Sequence, residues 1–408
     1  MTATARTPAG LAAIVLGAAA ITAAAPIGPA AAVPLDGCPA LYILGVQGTG
    51  QSSPTADPLA DTGVVGSLIG PVVSAAPSLV QRAYVGYNAG FGGIVPGGGA
   101  DPYVDSVAGA RTALDAAATQ VADACPGTLL AAVGYSQGAQ AVADFARTVG
   151  AGNGPVPAER VAGVALYANP DRDVLEPVFP GRPGQTVPDP APGTSGAAVA
   201  GVQILAAPAG GAGIATTSEG YGALTGRVAD ICSDGDLACS APPTATLLRL
   251  AAQVFAHADL TNPVAAVATL GATLAEALGD TWKTVVLNDF QVVGTQVAYA
   301  PQMSLGERLV EAADPRSATV DAGAADAQWG EITAAVAAAP WQVPGLLAAL
   351  GGAWGQLVAE NAELVDPAVW LRFADTVGRH NGYALTGQLA SGTAWMIALA
   401  RDAAGDGS

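Results

Sequence analysis

Three short apolar runs, Leu41 to Gly45, Leu129 to Val133 and Val161 to Tyr167, are separated by longer stretches with helical spacing. A strand that is apolar at nearly every position is buried on both faces, and parallel neighbours need a crossover helix between them. The intervening stretches supply the helices: Val64 to Val80, interrupted by Pro71 and Pro77, then Asp105 to Ala124 and Ala139 to Val149. The pattern predicts an α/β chain, a three-layer sandwich with a central parallel sheet covered on both sides. A further strand is expected at Val202 to Ala206, after a Pro- and Gly-rich surface loop from Glu176 to Gly196.

Beyond Cys239 the texture changes. From about Pro242 to Gly378 the chain reads as amphipathic Ala/Leu helices broken by Pro263, Pro301, Pro315, Pro340 and Pro344. Five of the six tryptophans lie there, namely Trp282, Trp329, Trp341, Trp354 and Trp370, with Trp395 in the final helix. Two readings fit this aromatic mass: an apolar lid that makes transient contact with a lipid surface, or a helical subdomain with tryptophan as ordinary core.

Charge excludes one class of partner. The 408 residues carry 15 basic and 33 acidic side chains, a net −18 that repels phosphate and gains nothing from counterion release, so no nucleic acid is expected. Residues 1–32 have the parts of a secretory signal peptide: Arg6, an apolar stretch from Gly10 to Ala25, and a small-residue end at Ala30-Ala31-Ala32. A secreted protein, extracellular or held at the cell envelope, is the consequence. Export permits disulfides, and the four cysteines allow three pairings. Cys232 and Cys239 suit a small stapled loop, leaving Cys38 to tie the mature N-terminus to Cys125 at a helix end. A zinc site is disfavoured, because the spacing is not C-x-x-C and the chain has only two histidines.

The chemistry concentrates at Gly134-Tyr135-Ser136-Gln137-Gly138. It follows an apolar strand and opens a helix, the setting in which a serine occupies a sharp turn and flanking glycines let strand and helix approach. A nucleophilic Ser136 needs a base and an orienting carboxylate, in the chain order Ser, acid, His. Asp236, inside the Cys232–Cys239 loop, is the candidate acid. Of the two histidines, His257 reads as part of a continuous helix from Leu247 and as a helix-surface residue. His380 follows a helix ending near Gly378 and lies in a loop with Asn381-Gly382-Tyr383, so it is the candidate base.

These motifs resemble the cutinase family of secreted serine esterases. The resemblance rests on Gly134 to Gly138 with Cys125 eleven residues before the serine, on Cys232-Ser233-Asp234-Gly235-Asp236-Leu237-Ala238-Cys239, and on His380 with Tyr383 three residues on. It implies an α/β-hydrolase fold, disulfides Cys38–Cys125 and Cys232–Cys239, and a catalytic Ser136, Asp236 and His380. The turn Gln47-Gly48-Thr49-Gly50 is similar to the family's oxyanion turn, which implies backbone donors at Thr49 and Gln137. Gln47 replaces a basic residue common there, and 144 residues separate Asp236 from His380 where small cutinases have a short connection. The resemblance therefore covers residues 38–240 and 378–403. It divides the mature chain into a hydrolase domain of 33–240 plus 378–408 and a helical insertion of 241–377, a candidate lid favouring long acyl chains.

The implied activity is hydrolysis of carboxylic esters or lipids with no metal or organic cofactor. An acyltransferase using the same residues on envelope lipids or sugars, and a non-enzymatic envelope protein on a hydrolase scaffold, are the alternatives.

Overall fold

The computed structural model describes residues 32–206, 208–215 and 219–405, so all but the last residue of the expected signal peptide lies outside them. Strand β1 (Leu41–Val46) leads through α1 (Gly63–Ala75) to β2 (Val80–Tyr84), and α2 (Tyr103–Ala124) leads to β3 (Leu129–Tyr135). After α3 (Gln137–Gly150) and β4 (Val161–Tyr167) a long irregular stretch precedes β5 (Val228–Ile231). All five strands are parallel, in the order β2-β1-β3-β4-β5. Alternate residues of each strand face opposite layers. Leu41, Ile43, Val133 and Tyr167 pack on the side of α1 and the last helix, α12 (Gln388–Ala404). Tyr42, Leu44, Ala132 and Leu166 pack on the side of α2 and α3. The expected three-layer sandwich is present.

Elements in and around the sheet differ from expectation. The run Val202 to Ala206 is not a strand, although Val202 and Ile204 are buried. Val202 and Ile204 pack into the core on the α1 and α12 side, and the last strand of the sheet is instead β5. That strand escaped notice because it has four residues and carries a buried Asp230, bonded to Asn169 Nδ2 at 2.6 Å. The first helix also ends at Ala75, and Val80 begins β2 instead of closing the helix. Pro77 lies between them, where a helix cannot readily continue.

The stretch 241–377, expected as an insertion, contains α5 (Thr246–Ala256), α6 (Pro263–Asp289), α7 (Leu305–Ala313), α8 (Ala322–Ala338), α9 (Val343–Glu360) and α10 (Pro367–Arg372), preceded by the short α4 (Leu237–Ser240). It also holds an antiparallel hairpin, β6 (Phe290–Val293) and β7 (Gln296–Tyr299), which the helical reading did not include. Gly294, at φ +63°, permits its two-residue turn. Two small cores of its own, around Leu250 with Leu357 and around Val286 with Ile332, hold the insertion together. Its tryptophans are not ordinary core: all five are at least 40% exposed, and Trp341 reaches 78%. No single helix among the described residues is long and apolar enough to cross a membrane.

Trp395 is the exception, fully buried between the sheet and Phe179 with ring centroids 6.2 Å apart. A side chain at Gly163 of β4 would stand 2.7 Å from its indole, so the strand must be bare there. Trp395→Ala is expected to destabilise the fold by about 3–5 kcal/mol in urea unfolding monitored by circular dichroism.

Candidate active site

The strand order reverses between β1 and β3, so a crevice opens at the carboxyl ends of these two strands. Ser136 stands there, as the residue between β3 and α3. Its backbone has φ +54° and ψ −122°, a conformation few non-glycine residues adopt. The turn is tight enough to exclude side chains on both flanks. A Cβ at Gly134 would lie 2.6 Å from Ala139 Cα, and one at Gly138 would lie 2.3 Å from the carbonyls of Val46 and Gln47. Those contacts explain the two glycines of the motif.

A continuous line of hydrogen bonds leaves the serine. His380 Nε2 is 3.0 Å from Ser136 Oγ, and His380 Nδ1 is 2.9 Å from each carboxylate oxygen of Asp236. Asp236 is 1% exposed and caps α4 by accepting from Ala238 N–H at 3.0 Å. Tyr383 donates its hydroxyl to Asp236 Oδ2 at 2.8 Å and accepts from Ser233 N–H at 3.1 Å. Burial, and after it the Asp236 charge, pushes Tyr383 far above the ordinary phenol range, so it holds its proton as a donor.

Both disulfides implied by the resemblance are formed, Cys38–Cys125 and Cys232–Cys239. The second closes the loop that carries Asp236. His380 is not in a loop: it belongs to the short helix α11 (Thr376–Asn381), which continues through Gly378, where a side chain would meet the Asp375 carboxylate at 2.3 Å. Tyr135 fastens this helix to β3, donating its hydroxyl to the His380 carbonyl at 2.8 Å. Thr376 Oγ1 accepts from Leu237 N–H at 2.8 Å, tying the helix of His380 to the one capped by Asp236.

The Gln47 to Gly50 turn lies against the serine. A Cβ on Gly48 would be 3.2 Å from Ser136 Cβ, and Thr49 shares a cavity wall with Ser136 and His380. Gln47 is buried, with its side chain bonded to the Thr62 carbonyl and its own carbonyl accepting from Tyr87 O–H at 2.6 Å. The backbone N–H of Gln137 opens α3 and has no acceptor within the helix. Its side chain donates to the Gly90 carbonyl at 2.9 Å and accepts from Ser106 Oγ at 3.2 Å. These interactions hold the Gly90 loop beside the serine.

His257 terminates α5 and lines the same cavity, while the hydrogen bond to the serine is made by His380. Sequence reasoning assigned no role to Tyr383, Tyr135 or Ser106. Tyr383 was visible as the tyrosine three residues after the histidine, but nothing in the spacing says that it reaches the acid.

A doubly wound α/β sandwich with a strained serine at its strand-order reversal and a histidine–carboxylate pair behind it is thus the framework of the site. The family model described as Cutinase matches residues 37–251, and the chain belongs to the cutinase family. A carboxylesterase, the Culp6 homolog of Corynebacterium glutamicum, is 35% identical over 122 residues, which span 29% of this chain and 37% of that protein. The catalytic core domain of acetyl xylan esterase from Trichoderma reesei is similar at 19% identity and TM-score 0.35, over 58% of this chain and 99% of that one. Lysin B from Mycobacteriophage D29 is similar at 17% identity and TM-score 0.35, over 72% and 98%.

The Tyr383 hydroxyl bond to a buried carboxylate is of the strong, charge-assisted kind. Tyr383→Phe is expected to slow labelling of Ser136 by a fluorophosphonate probe roughly tenfold. Stopped-time labelling followed by intact-mass spectrometry measures it, and an unchanged rate would remove Tyr383 from the site's support.

Proposed function

We propose that the chain is a secreted serine esterase that hydrolyses carboxylic esters through an acyl-enzyme on Ser136. The observation that carries this reading is the unbroken line Ser136–His380–Asp236–Tyr383 at the mouth of an apolar cavity of about 850 Å³. Membership of the cutinase family and likeness to a carboxylesterase support an ester as the substrate class. We take residues 33–240 and 378–408 as the hydrolase domain and 241–377 as an insertion within it. Two disulfides support an oxidising destination, outside the cell or at its envelope.

In the first half-reaction His380 Nε2 accepts the Ser136 proton as Oγ bonds to the ester carbonyl carbon. The Asp236 carboxylate keeps the Nδ1 proton in place and stabilises the imidazolium. Negative charge develops on the carbonyl oxygen, where the N–H groups of Thr49 and Gln137 receive it, each worth about 3 kcal/mol in the transition state. Collapse of the adduct breaks the bond to the alcohol, which leaves with the proton from His380. Water then gives a proton to His380, attacks the acyl carbon and releases the acid, and Ser136 recovers its proton. Every step uses side chains and amides of the chain itself.

Initial rates on p-nitrophenyl butyrate test the assignment of roles. Ser136→Ala and His380→Ala are expected to lose at least about 10⁴-fold in kcat, because members of such a unit fail together. His257→Ala is expected to stay within about tenfold of wild type, since it makes no bond to the nucleophile. Loss with His257→Ala and retention with His380→Ala would reverse the choice of base.

A further inference from the structure

Ser136 and His380 stand where two cavities meet. The smaller, about 360 Å³, is bounded by Phe91, Ile94 and Val95. The larger, about 850 Å³, follows the groove between α2 and α3, with Tyr103, Val107 and Thr112 on one helix and Gln140 and Asp144 on the other. The insertion supplies its roof, through Ala252 and Ala256 of α5 and then the turn Asp314 to Arg316. Both helices begin at the carboxyl edge of the sheet and run away from Ser136, so position along them measures depth. Ser136 to Asp144 is eight residues, and at 1.5 Å per residue the groove is about 12 Å deep there. An extended chain of single bonds advances about 1.2 Å per bond, so an acyl group of roughly ten carbons reaches Asp144.

At that depth an ion cluster closes a lining that is mostly apolar, Asp105, Arg111 and His257 apart. Arg316 Nη1 is 2.6 Å from Asp171 Oδ2 and 3.7 Å from Asp144 Oδ1, while Nη2 is 2.7 Å from Asp314 Oδ2. Nη2 also donates to the Ala215 carbonyl at 2.9 Å. Asp171 is fully buried and is held from the other side by Arg147 at 3.1 Å. Behind Arg316 lies a polar cavity of about 580 Å³ bounded by Glu307, Glu311 and Glu360. Among the described residues, the two cavities share only Asp144, Asp314 and Arg316. An alkyl end pushed past this point would strip water and partners from charged groups, which is costly.

We propose that the groove roofed by the insertion is the acyl chamber, that Arg316 with Asp144 and Asp314 is its end stop, and that the smaller cavity takes the alcohol. This rests on the esterase reading above and narrows it to acyl groups of up to roughly ten carbons, shorter than the apolar insertion suggested from sequence. An arginine from the insertion, outside the hydrolase core, thereby sets chain-length specificity.

The test is kcat/KM over p-nitrophenyl esters from acetate to palmitate, for wild type, Arg316→Ala and Ala108→Phe. Ala108, the sixth residue of α2, lines the groove and takes no part in the ion cluster, so it remains informative should Arg316→Ala fold poorly. Wild type is expected to peak near decanoate. Removing the stop should raise the palmitate-to-decanoate ratio at least about tenfold, and blocking the groove should lower the decanoate-to-butyrate ratio by a similar factor. An unchanged profile in Ala108→Phe overturns the chamber assignment and leaves the esterase reading standing. So does a profile that shifts instead with the alcohol, measured on alkyl butyrates from ethyl to decyl. Failure of wild type to cleave any ester removes the esterase reading and this inference together.

Discussion

A carboxylate that is 1% exposed can stay charged only if donors surround it, and Asp236 obtains its donors from three separate parts of the chain. Ala238 N–H comes from its own helix cap, His380 Nδ1 from α11, and the Tyr383 hydroxyl from the turn before α12. Leaving any one out removes a donor from a buried carboxylate. The disulfide loop, the return of the insertion and the docking of the last helix are therefore coupled through one side chain. Ser136 depends on the same group at one remove, since the imidazole beside it is oriented by Asp236.

The coupling explains how a long stretch of chain fits between Asp236 and His380 without separating them. The acid loop meets the end of the insertion directly: Arg372 pairs with Asp234 and donates to the Gly210 carbonyl at 3.0 Å, and Leu237 N–H reaches Thr376. The chain leaves this loop after Cys239 and returns to it at Arg372. Sequence distance is spent on a structure with its own small cores, while spatial distance at the site stays at one hydrogen bond.

Much of this was legible because it is local. Apolar strands beside helical spacing announce a parallel sheet, and Gly134 and Gly138 announce a turn that no side chain can enter. Asp236 and His380 were readable from a short motif and from chain order. What stayed hidden depends on partners distant in sequence. Tyr383 reaches an acid 147 residues earlier, and β5 carries Asp230 in the middle of a strand whose burial only the fold creates. The exposure of the insertion tryptophans was equally unreadable, because Trp395 and Trp341 look alike as residues while one is sealed under β4 and the other faces outward.

Contacts at three seams bear on whether the insertion is a lid or a wall. Leu260 N–H bonds the Gly92 carbonyl at 2.9 Å, Arg316 reaches Asp171 and the Ala215 carbonyl, and Arg372 reaches Asp234 and Gly210. Arg316 is about a third exposed, so water softens the loss of its pairing, but Asp171 is sealed and would keep Arg147 as its one ion-pair partner, beside the Gln140 side-chain amide. Lifting the insertion would also open α5 off the groove it roofs. Separate seams on different parts of the insertion cannot be released by bending one hinge, and they would have to break together. The arrangement favours a fixed wall that shapes the cavity at all times over a lid that opens on demand. On that view the exposed apolar residues of α6 and α9, none of which lines the cavity, take no part in the chemistry, and the insertion acts on it through a few lining residues, Ala252, Ala256 and Arg316 among them.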